Sequence, residues 1–337
     1  MSVEASEMLE VAATKRKARL GVLFNLTLFI LLVLLWVTLA FTTKTFFTHI
    51  NIPNLLRQGS MIAILAMGET FVIITAGIDL SVGAVVAFCT VITALLFKQN
   101  YPIFAVVLIT LIIGFGIGGF HAFGITKLGL PPFIMTLATM TVLRGLGLIL
   151  TGGSTVSIDN SAFTSFSYGD LGSIWLPGLG FLPIPNLFWM VLLVGIPAYI
   201  FLHHSRFGRY LFAVGSNTEA ARLSGVNTRF MIYLAYILSA VTAAFVGVLL
   251  ASRIGIGMAT QAEGWELQAI ASSVIGGTSL FGAIGSVHGP LLGAFILATI
   301  NNGCNLLNVN SYWQLVITGF LIIVIVYFDG LRRKQMG

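Results

Sequence analysis

Three ionisable side chains stand inside stretches that are otherwise apolar: Glu69, Asp79 and Arg144. A charge in such a place is costly in hydrocarbon, so it marks a pathway, a proton carrier or an ion pair. Asp79 falls within Gly77-Ile78-Asp79-Leu80-Ser81-Val82-Gly83. It reads either as a functional carboxylate or as the N-cap of a helix that starts there. Glu69 and Arg144 differ in axial depth by only about 5 Å at ~1.5 Å per residue. They could neutralise each other as a pair, or Arg144 could reach outward with Glu69 protonated, or both could belong to a pathway. Asn301, Asn302, Asn305, Asn308 and Asn310 form an amide cluster near one helix end. Amides there serve as glue between helices or as hydrogen-bond partners for a hydroxylated solute.

No covalent chemistry is legible. The histidines (49, 121, 203, 204 and 288) make no H-E-x-x-H, no nucleophile sits beside an evident base, and no G-x-x-x-x-G-K-[ST] occurs. No catalytic and no metal-ligating residues are expected, and no cofactor in this chain. The glycines at 114–119, 276–277 and 282–293 read as points of close helix packing rather than phosphate loops. Cys89 and Cys304 read as small buried hydrophobes. Energy for any transport must come from a gradient or from a partner subunit.

The elements that position these residues follow from composition. Of 337 residues, 57% are hydrophobic and 8% charged, and mean hydropathy is +1.00. A soluble chain carries roughly 25% charge, so lipid must cover most of this surface. An all-α integral membrane protein with about ten transmembrane helices is expected, with spans over 21–41, 60–78, 80–97, 102–125, 131–150, 185–203, 230–252, 265–281, 284–306 and 312–328. The chain must turn at Gly77-Ile78-Asp79, because a single helix over 60–97 would be about 57 Å long. Segment 1–20 reads as a cytoplasmic N-terminal piece and 21–331 as one membrane domain, with an outer loop at 151–184 and an inner loop at 204–229. With the N-terminus inside, twelve of the lysines and arginines fall in inner loops and four (Lys44, Arg57, Lys98, Arg253) in outer ones. That bias fits the positive-inside rule and places both termini in the cytoplasm.

The inner loop carries the most local information. Ser216-Asn217-Thr218-Glu219 has capping-box spacing, Ala220, Ala221, Arg222 and Leu223 continue a helix, and Ser224-Gly225 ends it through a left-handed cap. The short surface helix that results suits a docking element, or equally a rigid loop against lipid headgroups.

Several of these segments resemble one family. Gly77–Gly83 is similar to the hallmark of the ribose-type permeases of bacterial ABC sugar importers. Gly208-Arg209-Tyr210 and Glu219–Gly225 resemble that family's coupling loop, and Gly276–Leu280 and Asn301–Leu307 match further motifs. The resemblance runs from about Asn54 to Asp329. It implies an inner-membrane permease that pairs as a homodimer or with a paralogous permease. A cytoplasmic ATPase holding ATP and Mg would sit below and a periplasmic or lipid-anchored sugar-binding protein above. It further implies that Asn217, Glu219, Ala220, Ala221, Arg222 and Gly225 meet the ATPase, that loop 151–184 meets the binding protein, and that a monosaccharide, ribose by default, is carried. Glu69 departs from the family pattern, where Met or Gln is expected. The rival reading is a proton-coupled secondary transporter that uses Glu69 or Asp79.

Overall fold

The computed structural model describes residues 26–176 and 180–336. The segment 1–20 and the side chains of Arg332, Arg333 and Lys334 lie outside the described residues. In hydrocarbon every backbone N–H and C=O must be satisfied within the protein, and the apolar runs accordingly form helices. They are α1 (Leu26–Thr42), α2 (Asn51–Ile74), α3 (Val82–Lys98), α4 (Ile103–Thr126), α5 (Pro132–Thr151), α6 (Ser161–Tyr168), α7 (Asn186–His204), α8 (Arg206–Ser216), α9 (Thr218–Leu223), α10 (Thr228–Ile254), α11 (Trp265–Ile275), α12 (His288–Leu306) and α13 (Ser311–Met336). Five of them, α2, α4, α5, α7 and α10, are long and apolar enough to cross a membrane, and α1, α3 and part of α13 are shorter apolar helices. The protein is an all-α membrane protein.

Two helices form its centre. The apolar window of α2 is 94% buried and that of α10 is 67% buried, against 17% for α7 and 22% for α4. Helix α10 packs on α2, α3 and α4, and α2 packs on α7, α11 and α12. Glycines set the closest approach. A Cβ at Gly114 would lie 2.5 Å from Ala244 Cβ, and one at Gly118 would lie 2.5 Å from the Tyr236 carbonyl. This G-x-x-x-G face seats α4 on α10. The 151–184 loop is structured by α6, by the antiparallel hairpin β2 (Asp170–Leu176) with β3 (Gly180–Pro185), and by β1 (Val156–Ser157), which pairs with β4 (Ile256–Gly257).

Several span boundaries differ from the sequence reading, and three of them bear on the site. Helix α2 starts at Asn51 rather than Ser60, because Pro53 falls in its first turn, where the missing N–H costs nothing. Arg57 is therefore a helix residue. Helix α11 stops at Ile275 rather than Phe281, as Gly276 lies against the Gly289 and Pro290 backbone and Gly277 takes φ +88°. Helix α12 starts only at His288, so 276–287 is a folded connection rather than helix.

Candidate functional site

The turn between α2 and α3 is built around buried charge. Glu69, Asp79, Ser81 and His121 have no exposed surface, and Ser239 and Tyr236 have 1%. Asp79 Oδ1 accepts from the Ser81 N–H at 2.9 Å and from Ser81 Oγ at 2.6 Å, while Oδ2 accepts from Ser239 Oγ at 3.1 Å. Glu69 Oε1 accepts from the Asp79 N–H at 3.0 Å. His121 Nδ1 stands 3.9 Å from Asp79 Oδ2, and the Tyr236 ring meets the His121 ring edge-on. Thr136 of α5 takes up the flanking backbone by accepting from the Leu80 N–H at 3.2 Å. Asp79 is thus an Asx-type clamp two residues ahead of Ser81, which is the N-cap of α3 in place of Asp79, and Glu69 holds the same turn from α2.

Glu69 and Arg144 do not pair, and the three ion pairs found among the described residues involve neither of them. Arg144 instead donates from Nη1 to the carbonyls of Ala259, at 2.7 Å, and Gln261, at 2.6 Å. The physical reason lies in the chain after α10. Instead of forming a short outer loop, Gly255–Gly264 folds back along α3 and α5, and its carbonyls need donors that regular structure does not supply. Gly257 lies against Thr90 and Ala94, and Ala259 against Gly147. Ala262 and Glu266 reach Gly83 in the first turn of α3. Similar depth was legible in the sequence, but it did not reveal this intervening segment.

Left-handed alanines mark each interruption: Ala76 at φ +61°, Ala262 at +54° and Ala283 at +62°. Such backbone is strained for any residue with a Cβ. The first and third interruptions meet, as the Ala283 N–H donates to the Ile74 carbonyl at 2.9 Å.

Against that junction rests α8. A Cβ at Gly215 would collide with the Ile74 carbonyl and stand 2.9 Å from the Ala283 nitrogen. Helix α9 follows directly. Its N-cap is Asn217, which accepts from the Ala220 N–H at 2.9 Å, and not Ser216, which closes α8. Glu219 pairs with Arg222 across one turn instead of reaching back to complete a capping box. Gly225 follows the helix at φ +84°, with the Val226 N–H donating to the Ala221 carbonyl at 3.0 Å. Ala221 is the buried anchor of α9. The remaining α9 residues are exposed, Leu223 at 78%. The Arg222 hydrogen bond, the larger effect, holds the Glu219 carboxyl below its ordinary range, and Glu219 in turn raises the Arg222 guanidinium. An exposed Leu beside a fixed ion pair, one residue beyond α8, makes a presented surface.

The asparagines divide. Asn302 exchanges hydrogen bonds with Asn51, at 2.7 and 3.1 Å, and Asn305 accepts from Gln314 at 2.7 Å, so both act between helices. Asn301 is half-buried, and Asn308 takes φ +56° just past α12. Sequence reading missed His121, Tyr236, Ser239 and Glu266. A lone histidine inside an apolar span was the available signal for His121.

A bundle of apolar helices broken at buried polar turns, with a capped helix presented at one end, defines a membrane permease. Residues 51–326 match the family described as branched-chain amino acid transport system / permease component, and the chain belongs to it. It is 37% identical to the ribose import permease protein of Haemophilus influenzae over 91% of this chain and 94% of that protein. It is 35% identical to the D-allose transport system permease protein of Escherichia coli, over 91% and 92%. To the galactose/methyl galactoside import permease protein of the same species it is 34% identical, over 96% and 99%. It therefore stands among the ribose-type ABC permeases, which are transport subunits and not enzymes. No solved structure matches it.

Proposed function

We propose that this chain is the membrane-spanning subunit of an ATP-driven importer that carries a monosaccharide, ribose-like by default, across the bacterial inner membrane. In this reading the chain pairs with a second permease subunit. ATP and Mg are held by a separate cytoplasmic ATPase that docks on α8 and α9, and a sugar-binding protein docks on the 151–184 loop. Both termini face the cytoplasm, which agrees with the charge bias of the loops. The observation that carries the reading is the similarity to sugar import permeases over nearly the whole chain.

The presented α9 helix gives the reading a mechanism. Load on Asn217–Gly225 passes through α8 to Gly215, and from there to the junction of Ile74 and Ala283. Both broken-helix turns then sit one contact away from the docking surface. Rigid packed elements with discrete arrangements are the physical means of such coupling. The proton-coupled alternative draws less support, since Glu69 Oε1 and both oxygens of Asp79 are engaged in holding the turn, although Glu69 Oε2 has no hydrogen-bond partner among the described residues.

The test is purification of the tagged chain from mild detergent, with mass spectrometry, an ATPase assay and uptake in proteoliposomes. A co-purifying ATPase and ribose uptake that needs ATP are the expected results. A chain that emerges alone, with uptake that survives ATP depletion and collapses with the proton gradient, overturns the proposal.

A further inference from the structure

Charged and amide side chains that remain accessible at membrane depth cannot face hydrocarbon without large cost. The segment after α10 supplies such a set. Its depth is bracketed by its neighbours. Gly257 lies beside Thr90 and Ala94 in the outer half of α3, Ala259 lies beside Gly147, and Ala262 lies beside Gly83 at the start of α3. The segment therefore runs along most of a helix about 25 Å long at ~1.5 Å per residue. Irregular backbone at that depth is tolerated only when buried in protein or lining water.

Both situations occur here. On the protein side, Arg144 satisfies the Ala259 and Gln261 carbonyls, and Glu266 Oε1 accepts from the Gly264 N–H at 3.2 Å. On the other side Glu263 is exposed, and Gln261 and Gln268 are half-buried. Glu263 is exposed at the level of Gly83, in the first turn of α3.

We propose that Gln261, Glu263 and Gln268 line an aqueous path for the solute, with Arg144 as the residue that positions the segment. The chemistry fits a neutral polyhydroxylated molecule. A carboxylate accepts from hydroxyl groups, and the two amides both donate and accept. The nature of the solute rests on the sugar-import reading, whereas the water-filled path does not.

The test uses the full-length chain in proteoliposomes with Cys89→Ala and Cys304→Ser, carrying Glu263→Cys, Gln268→Cys or, as a control, Leu193→Cys on the exposed face of α7. The probe is a charged, membrane-impermeant methanethiosulfonate. A thiol in hydrocarbon keeps its proton and loses about tenfold in thiolate per unit of pKa. The thiols introduced by Glu263→Cys and Gln268→Cys are therefore expected to react at least about tenfold faster than the one introduced by Leu193→Cys, and ribose is expected to slow them. Labelling of the Glu263→Cys variant no faster than that of the control overturns the path. So does an oxidative cross-link between two copies of the Glu263→Cys variant with no labelling, which would make the segment a buried dimer contact. A second variant, Glu263→Gln, is expected to raise the KM for uptake about threefold to tenfold, the scale of one hydrogen bond. Fast labelling in a protein that takes up no sugar with ATP would keep the path and remove the sugar assignment.

Discussion

Asp79 shows how much one buried side chain organises. Its two oxygens accept from Ser81 twice and from Ser239 once, and Glu69 holds its own N–H. An amide offers a single accepting oxygen, so Asp79→Asn keeps at most the two Ser81 hydrogen bonds and turns an NH₂ toward Ser239 Oγ. The expected cost is about 1–3 kcal/mol, read as a lower midpoint of thermal unfolding in detergent. Ser239→Ala should cost less, about 1 kcal/mol, because it removes one donor and leaves the carboxylate its other partners. Equal stability of Asp79→Asn and wild type would show that the turn is held by packing alone. Glu219 is a different case, exposed and paired only with Arg222. Its lowered folded-state pKa means that the pair is complete above the ordinary carboxylate value of 4.5 and is lost as the pH falls through the lowered value. Any ATPase stimulation that depends on the pair should therefore stay flat from neutral pH down to about 5. Glu219→Lys should abolish that stimulation at every pH while membrane insertion stays normal.

At the scale of elements, the interruptions matter more than the helices. Ala76, Ala262 and Ala283 all hold left-handed backbone that costs an L-residue about 1–2 kcal/mol. Ala76→Gly and Ala283→Gly should each raise thermal stability, by up to about 1 kcal/mol once the extra freedom of glycine in the unfolded chain is subtracted. A fall in the unfolding midpoint would mean that the methyl groups contribute more packing than the strain removes. Gly215 is the opposite case, a place with no room. Gly215→Val would drive α8 off the Ile74 carbonyl, at a cost of about 1–3 kcal/mol for overpacking. In a reconstituted complex it should leave ATP hydrolysis by the partner uncoupled from uptake. Uptake at the wild-type rate would rule out transmission through this contact.

Across the whole molecule the charges sort into separate places. Glu69 belongs to the α2–α3 turn, Arg144 to the segment after α10, and Arg57 to the β2–β3 hairpin through Asp170 at 2.9 Å. Glu69→Gln and Arg144→Met share no partner, so their stability costs should add to within about 0.5 kcal/mol in a double-mutant cycle. Coupling of about 1 kcal/mol or more would show that the two sites communicate through α3.

The one-dimensional pattern determined what depends on local or summed properties. Composition alone required a lipid environment, since 8% charge cannot solvate 337 residues. Apolar run lengths located most helices to within a few residues, and Gly225 announced its left-handed cap because few other residues adopt that backbone readily. The G-x-x-x-G spacing of Gly114 and Gly118 marked a packing face, though not its partner. What only the tertiary structure decided was the pairing of distant groups. Glu69 found the Asp79 backbone, and Arg144 found two carbonyls of a segment that reads in sequence as a short loop. His121 and Ser239 converged on Asp79 from helices that the sequence could not orient. Hydropathy reports how deep a residue lies and nothing about which way round its helix it faces. A buried charge takes whichever partner the packing brings within hydrogen-bond reach.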